Sequence, residues 1–258
     1  MFRDKKVIVV MPAYNAGLTV RRTHEEVIEQ DYVDEVILVD DASRDRTVEI
    51  ARGLPKVRVH RHERNLGYGA NQKTCYRLAL ESGGQIVIMV HPDYQYTPKL
   101  IPAMASLIGC GLYSCVIGSR ILGGYAVKGG MPLWRYVGNR GLTWVSNLLM
   151  LAKLSEYHTG YRAFSGELLA RLPLEVNSDD FVFDNQMLAQ ILWTGAHVAE
   201  VSCPTRYSPD ASSIGFGGSV RYGFGCLATA LHYRMARAGL TRHPRFPAAL
   251  RDAYAERL

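Results

Sequence analysis

Apolar positions in the first 120 residues fall into short, nearly unbroken runs: VIVVM (7–11), EVILVD (35–40), VRVHR (57–61), IVIMV (86–90) and CVIGS (115–119). Runs without polar alternation predict strands covered on both faces. Between them, polar and apolar residues mix at helical spacing, which predicts helices over about 17–30, 44–53, 68–82 and 98–109. Strands alternating with helices predict a single Rossmann-like, mostly parallel α/β sheet flanked by helices. Ligands of such sheets bind beyond the carboxyl ends of the strands, so the residues just after each strand carry the functional weight. These are Pro12 to Asn15, Asp40 and Asp41, Asn65 to Asn71, His91 to Tyr96, and Arg120.

From about residue 121 the rhythm changes. A Gly-rich connection, GGYAVKGG (123–130), leads to a predicted helix over about 134–153, followed by the irregular segments EYHTGYRAFS (156–165) and DDFVFDNQML (179–188) and strand-like AHVAEVSC (196–203). This reads as a C-terminal elaboration on the acceptor side. The expected organisation is one domain over 1–210, with a nucleotide-binding half to about 120 and an acceptor half over 121–210. An amphipathic helix and tail follow over 211–258. The tail from Thr241 mixes Pro, Arg and Ala and is expected to be poorly ordered.

Composition narrows the classes. At 258 residues, 48% hydrophobic and 21% charged, the chain has the makeup of one soluble globular domain with a real core. Five cysteines without a C-x-x-C pair argue against a disulfide framework or a thiolate zinc site and suit a reducing cytoplasmic setting. No signal-like segment precedes the first strand, and the most apolar helical stretch (142–154) contains Ser146, Asn147 and Lys153 and is too short to span a bilayer. Membrane contact is therefore expected to be peripheral, at the cytoplasmic face. The net charge of +6 favours anionic partners without choosing among nucleotide phosphates, lipid headgroups and nucleic acid.

Candidate chemistry sits at the strand exits. In MPAYNA (11–16), Pro12 fixes the backbone, Tyr14 offers a flat face for a base, and Asn15 can cap the next helix. In ILVDDASRDRT (37–47), Asp40 is the ligand candidate, while one of Asp41 and Ser43 is expected to cap the following helix. In RNLGYGANQK (64–73), Gly67 and Gly69 allow a backbone to approach a ligand and set a helix N-terminus where phosphates are welcome. In VHPDYQYTP (90–98), His91, Asp93 and Gln95 alternate, so an extended segment converges them as an imidazole and two oxygen ligands for a metal. Farther on, Glu156, His158 and Arg162 flank a glycine, and Asp179, Asp180 and Asp184 cluster before a helix. Carboxylates there are candidate general bases, and the arginine a candidate phosphate clamp.

Taken together these stations resemble family 2 inverting glycosyltransferases of the GT-A fold, and more narrowly the branch of dolichol-phosphate mannose and polyprenyl-phosphate sugar synthases. Pro12, Tyr14 and Asn15 match the P-x-Y-N segment, and Val39 to Thr47 match V-D-D-x-S-x-D-x-T. Asn65, Gly67, Gly69 and Ala70 or Asn71 match N-x-G-x-G-x-A. The family's D-x-D followed by Gln departs here: His91 replaces the first Asp, while Asp93 and Gln95 match. Gly118 to Arg120, and Thr159 to Arg162 with Glu156, match later segments. The resemblance implies that Pro12, Tyr14 and Asp40 hold the nucleoside of a UDP or GDP sugar. It further implies that His91, Asp93 and Gln95 hold Mn or Mg, and that Arg120 and Arg162 lie on the phosphate side. The implied acceptor is a lipid phosphate or a glycan, and nucleic acid is not an implied partner. A hydroxyl acceptor would need a base, Asp184 first and Asp180 second. Two alternatives remain: a nucleotidyltransferase, although MPAYNAG lacks a basic phosphate loop, and a non-catalytic nucleotide-sugar binder.

The segment 219–239 carries Tyr222, Leu227, Leu231 and Met235 at near-helical spacing, with Arg221, Arg234 and Arg237 around them and Arg242 and Arg245 beyond. Two fates are open to such a helix: lying in a lipid interface, or packing on the sheet or a second copy of the chain in a homodimer.

Overall fold

The computed structural model describes residues 1–205 and 215–255. The expected boundary near residue 210 lies outside the described residues. Seven strands form one sheet: β1 (Val7–Ala13), β2 (Glu35–Asp40), β3 (Val57–Arg61), β4 (Ile86–Met89), β5 (Cys115–Ser119), β6 (Arg162–Ser165) and β7 (Val198–Ser202). Their spatial order is β3-β2-β1-β4-β6-β5-β7, and β6 alone runs antiparallel to its neighbours. The helices are α1 (Val20–Ile28), α2 (Thr47–Arg52), α3 (Tyr68–Glu81), α4 (Ile101–Gly109), α5 (Leu133–Met150), α6 (Gly166–Arg171), α7 (Phe183–Trp193) and α8 (Phe216–Arg237).

The unbroken apolar runs are buried on both faces because helices cover both. Val7, Val9 and Met11 of β1 pack under α1 and α4, while Ile8 and Val10 pack under α3, α6 and α7. A third cluster joins Met150 of α5, Leu188 and Trp193 of α7, and Ala230 and Tyr233 of α8. Pro12 sits in the interior strand β1 beyond the last residue paired with β4, so its missing N–H is absent where that ladder has already ended.

One strand has no apolar run to announce it. The segment 156–165 reads as irregular, yet Arg162 to Ser165 pair with β4 and Arg162 to Phe164 also with β5. The vacancy between two buried strands decides the matter there, since unpaired backbone groups inside a sheet are costly. β6 and β7 also show that the two halves share one sheet, and α8 packs on α5 and α7.

The turn from β6 into α6 leaves no room for a side chain: a Cβ on Gly166 would lie 2.2 Å from the Gly84 carbonyl oxygen and 3.3 Å from Gln85 Cα. Both obstacles are backbone. Gly166→Ala is expected to lower stability by about 1–3 kcal/mol, read as an earlier urea midpoint. An unchanged midpoint would show that this contact yields without cost.

Candidate active site

A cavity of about 450 Å³ opens beyond the carboxyl ends of β4 and β5. His91, Asp93 and Gln95 line it after β4, Arg120 after β5, and Tyr68 at the start of α3. Asp184 lines it from α7; α5 contributes Trp134 and Leu142, and α8 contributes Val220, Tyr222 and Gly223. Residues far apart in sequence thus share one chamber, as expected where parallel strands end.

The three alternating residues all line the cavity, though the segment that carries them is not extended. Residues 91–96 form a turn in which Tyr94 takes the left-handed conformation (φ 58°) and the Asp93 carboxylate accepts a hydrogen bond from the Gln95 amide at 3.0 Å. A tyrosine in this region carries strain of order 1 kcal/mol. Its ring is held under the Arg22 guanidinium, 3.8 Å from the ring centre, and its hydroxyl donates to Glu26. The turn, pinned to α1, directs His91, Asp93 and Gln95 to the cavity wall. Among the described residues no group of three or more His, Cys, Asp or Glu is placed to hold a metal ion. Any ion here would need amide or substrate oxygens alongside Asp93 and His91.

His91 is oriented by a chain of hydrogen bonds. The Tyr68 hydroxyl donates to Asp184 Oδ2 at 2.7 Å and meets His91 Nε2 at 3.1 Å, with the two rings stacked. A phenol has one proton, and Tyr68 gives it to Asp184, so His91 Nε2 must be the donor in the second contact. In the neutral imidazole this leaves Nδ1 with the lone pair. Burial, and then the Asp184 carboxylate, push the Tyr68 hydroxyl well above its ordinary pKa, so the proton stays. Gln72 Nε2 donates to the other Asp184 oxygen at 3.1 Å. Tyr68 and Gln72 go unnoticed in the sequence because their partner lies more than a hundred positions away; the only hint is an aromatic between Gly67 and Gly69.

Several expected site residues have other work. Arg162 is fully buried and donates to the carbonyl oxygens of Thr159 (2.8 Å), Asp184 (2.6 Å) and Tyr157 (3.0 Å). It does not reach the cavity as a phosphate clamp. Glu156 is fully buried and accepts from the Arg120 amide, the Arg120 guanidinium and Asn139. Burial alone would raise its pKa, but Arg120 and Asn139 hold it below the usual carboxylate range. A carboxylate so engaged positions Arg120 on the cavity wall and is no base for a substrate. Asp180 is exposed, accepts from the Phe181 amide at 2.7 Å and stands outside the cavity lining. Only Asp184 of the candidate bases faces the chamber.

The glycine element also differs from expectation. Gly67 takes φ 101°, and Gly69 lies so close to residues 178 and 179 that a Cβ would be 2.4 Å from the Ser178 oxygen. The Gly69 amide donates to the Asp179 carbonyl at 2.7 Å. The first turn of α3 therefore approaches protein backbone, and these amides are spent before any phosphate arrives. Asp41 accepts from the Leu66 and Gly67 amides (both 2.9 Å) and meets His62 Nδ1 at 2.8 Å, so it orders this loop. Neither Asp41 nor Ser43 caps α2: Asp45 accepts from the Thr47 amide at 3.0 Å, and the Ser43 hydroxyl accepts from Asn15. Asn15 Oδ1 in turn accepts from the Arg44 amide, and Asn71 Nδ2 bridges the carbonyls of Ala13 and Val39.

Pro12, Tyr14 and Asp40 stand at the neighbouring ends of β1 and β2, outside the lining of the main cavity. Tyr14 is half exposed. Asp40 accepts from the Ser43 amide with Oδ2, while its buried Oδ1 has no hydrogen-bond partner among the described residues. An orphaned buried acceptor is costly unless a ligand meets it.

Two measurements check these assignments. Arg162→Met leaves three buried carbonyls without their donor, so a stability loss of about 3–5 kcal/mol is expected; near-native stability with weakened phosphate binding would restore the clamp. His158 also lines the cavity, and burial depresses its pKa to about 4. Because the unfolded imidazole takes a proton near 6.5 and the folded one does not, stability is expected to fall as pH drops from about 6.5 towards 4. Glu156 adds to the decline in the same direction at its acid end. Urea midpoints across this range should decline less in His158→Gln than in the parent; equal slopes would overturn the assignment.

Comparison with known proteins agrees with this architecture. The family model described as glycosyl transferase family 2 matches residues 8–173. The UDP-N-acetylglucosamine–dolichyl-phosphate N-acetylglucosaminyltransferase of Methanococcus voltae is 28% identical over 250 residues, covering 91% of this chain and 98% of that protein. The undecaprenyl-phosphate mannosyltransferase of Micrococcus luteus is 27% identical over 209 residues, covering 76% and 82%. Glucosyl-3-phosphoglycerate synthase from Mycobacterium tuberculosis, solved with Mn²⁺ and UDP-glucose, superposes with a TM-score of 0.68 at 21% identity, over 93% of this chain and 81% of that one. That structural likeness bears on the fold. With its single mostly parallel sheet of GT-A type and a family match over more than half its length, the chain belongs to glycosyl transferase family 2 and is a glycosyltransferase.

Proposed function

We propose that the chain transfers a sugar from a UDP- or GDP-type nucleotide sugar to a polyprenyl phosphate, with inversion at the anomeric carbon. The observation that carries this reading is the chamber that unites His91, Asp93 and Gln95 with Asp184 and Arg120 against largely apolar walls. The names of the two relatives, which act on dolichyl and undecaprenyl phosphates, point to the same acceptor class. At the neighbouring strand ends, Tyr14 would cover the base and the unpartnered Asp40 Oδ1 would accept from it.

The donor set suits a divalent cation such as Mn²⁺ or Mg²⁺: the Asp93 carboxylate, His91 through its Nδ1 lone pair, and the Gln95 amide oxygen. Bound there, it would neutralise the charge that develops on the departing diphosphate. The remaining steps belong to the chain. Arg120, held by Glu156, offers positive charge to the acceptor phosphate. That phosphate arrives ionised and attacks without losing a proton, so Asp184 serves it by orienting Tyr68, and through Tyr68 the imidazole of His91. For a glycan hydroxyl in place of the phosphate, Asp184 is the carboxylate that would take the proton.

The test is transfer from a panel of UDP and GDP sugars to polyprenyl phosphate, with and without Mn²⁺ or Mg²⁺, for the parent and Asp93→Asn. The variant is expected to keep its fold and lose roughly a hundredfold or more of metal-stimulated turnover. Parent-like turnover in the variant, or transfer unaffected by a chelator, would overturn the reading.

A further inference from the structure

Two helices in this protein carry an exposed apolar stripe, and in one of them, α5, the amphipathic pattern is inverted. The buried face of α5 is Asn139, Thr143, Ser146 and Met150, mostly polar. Its outer face carries Leu133, Val137, Trp144, Leu148 and, one residue past its end, Leu151, each 61–68% exposed. These positions fall within about a sixth of a turn of one another at 3.6 residues per turn. α8 has an ordinary, mostly apolar buried face of Cys226, Thr229, Ala230, Tyr233 and Ala236, yet Val220, Phe224 and Leu231 also look outward, 45–69% exposed. A soluble helix normally turns polar residues to water. Contiguous apolar stripes of this kind mark an interaction surface.

The exposed stripe of α8 differs from the one expected from sequence. Tyr222 turns inward, its hydroxyl 2.8 Å from His158 Nδ1, and Leu227 and Met235 are half-buried. Leu231 alone of the four faces solvent. Of the two fates weighed for this helix, packing is seen on one face, against α5 and α7, while the other face is open.

Charge selects the occupant. There is no Asp or Glu between Asp93 and Glu156, nor between Asp210 and Asp252. The two helices and their flanks therefore bear only positive charge, with Arg140, Lys153, Arg221 and Arg234 exposed. A twofold dimer through this surface would set like charges against each other. An anionic bilayer accepts apolar side chains and arginines together, with Trp at the boundary. The same helices form a wall of the cavity through Trp134 and Leu142 of α5 and Val220 and Gly223 of α8. Among the described residues no helix is long and apolar enough to cross a membrane.

We propose that the outer faces of α5 and α8 form a docking surface that seats the protein on an anionic lipid bilayer and brings the mouth of the cavity to the lipid. The docking surface stands apart from the acceptor reading; the purpose of docking rests on it.

The experiment is flotation of the full chain with vesicles of phosphatidylcholine alone or with added phosphatidylglycerol, beside a Trp144→Ser, Leu148→Ser, Phe224→Ser variant. None of these three residues lines the cavity, so the variant is expected to keep its circular dichroism and its calorimetric affinity for the nucleotide sugar. The parent is expected to float with anionic vesicles, less so as salt rises, and the variant to lose roughly tenfold or more of that binding. No vesicle binding by the parent, or equal binding by both, would overturn the proposal. So would a parent dimer in sedimentation that the variant converts to monomer, which would give the surface to a second copy. Loss of nucleotide-sugar binding in the parent itself would count against the catalytic reading and leave the surface untouched.

Discussion

The site depends on one buried charge. Arg162 is among the largest side chains shut completely away from solvent in the described residues, and its guanidinium is spent on three main-chain carbonyls, two in the loop before β6 and one at the start of α7. A buried guanidinium is tolerable only when its donors are met and a countercharge is near. Asp184, whose carbonyl it holds and whose carboxylate is its largest favourable electrostatic partner, meets both needs. The antiparallel strand, the loop 156–160 and the first turn of α7 are thereby fixed as one body. That body sets the distance between Asp184 and the β4 exit.

Close packing follows. Gly160 in the fixed loop lies where a Cβ would be 2.4 Å from His91 Nε2, so the imidazole fits because this neighbour has no side chain. From His91 the order passes to Tyr68, Asp184 and Gln72, whose hydroxyl, carboxylate and side-chain amide atoms are all partnered. Fully satisfied networks of this kind hold their members rigidly at low local dielectric. Histidine at position 91, where the resembled D-x-D motif has aspartate, therefore does more than replace a carboxylate. Its Nε2 proton is committed to the protein, and its orientation is inherited from Asp184.

The chamber is also unequal in its walls. The sheet side is polar and built from strand exits, whereas α5 and α8 bring Trp134, Leu142 and Val220. In α5 the inward face is satisfied by polar contacts, Asn139 Nδ2 donating to Glu156 and Thr143 to Asn139, whereas α8 packs Ala230, Tyr233 and Ala236 into the hydrophobic cluster beneath it. In α5 the buried polar face and the exposed apolar face are the same arrangement viewed from two sides.

The alternating runs of the first 120 residues were enough to determine the parallel core, because strands covered on both faces must be apolar throughout and that pattern is local. The strand exits followed, and with them His91, Asp93, Gln95 and Arg120. Family resemblance to the segments at Pro12 and Val39 supplied the chemistry. Tertiary structure alone decided which polar residues face the chamber. Arg162, Glu156 and Asp180 read as site residues because a charge in a sequence carries no record of its partner. Burial turned the first two into struts, and Asp180 remained on the surface. β6 was invisible for a related reason: four residues without an apolar run become a strand only when two neighbours leave a place between them. Tyr68 and Gln72 gained their roles from an aspartate more than a hundred positions away, a separation that periodicity over a few turns cannot register.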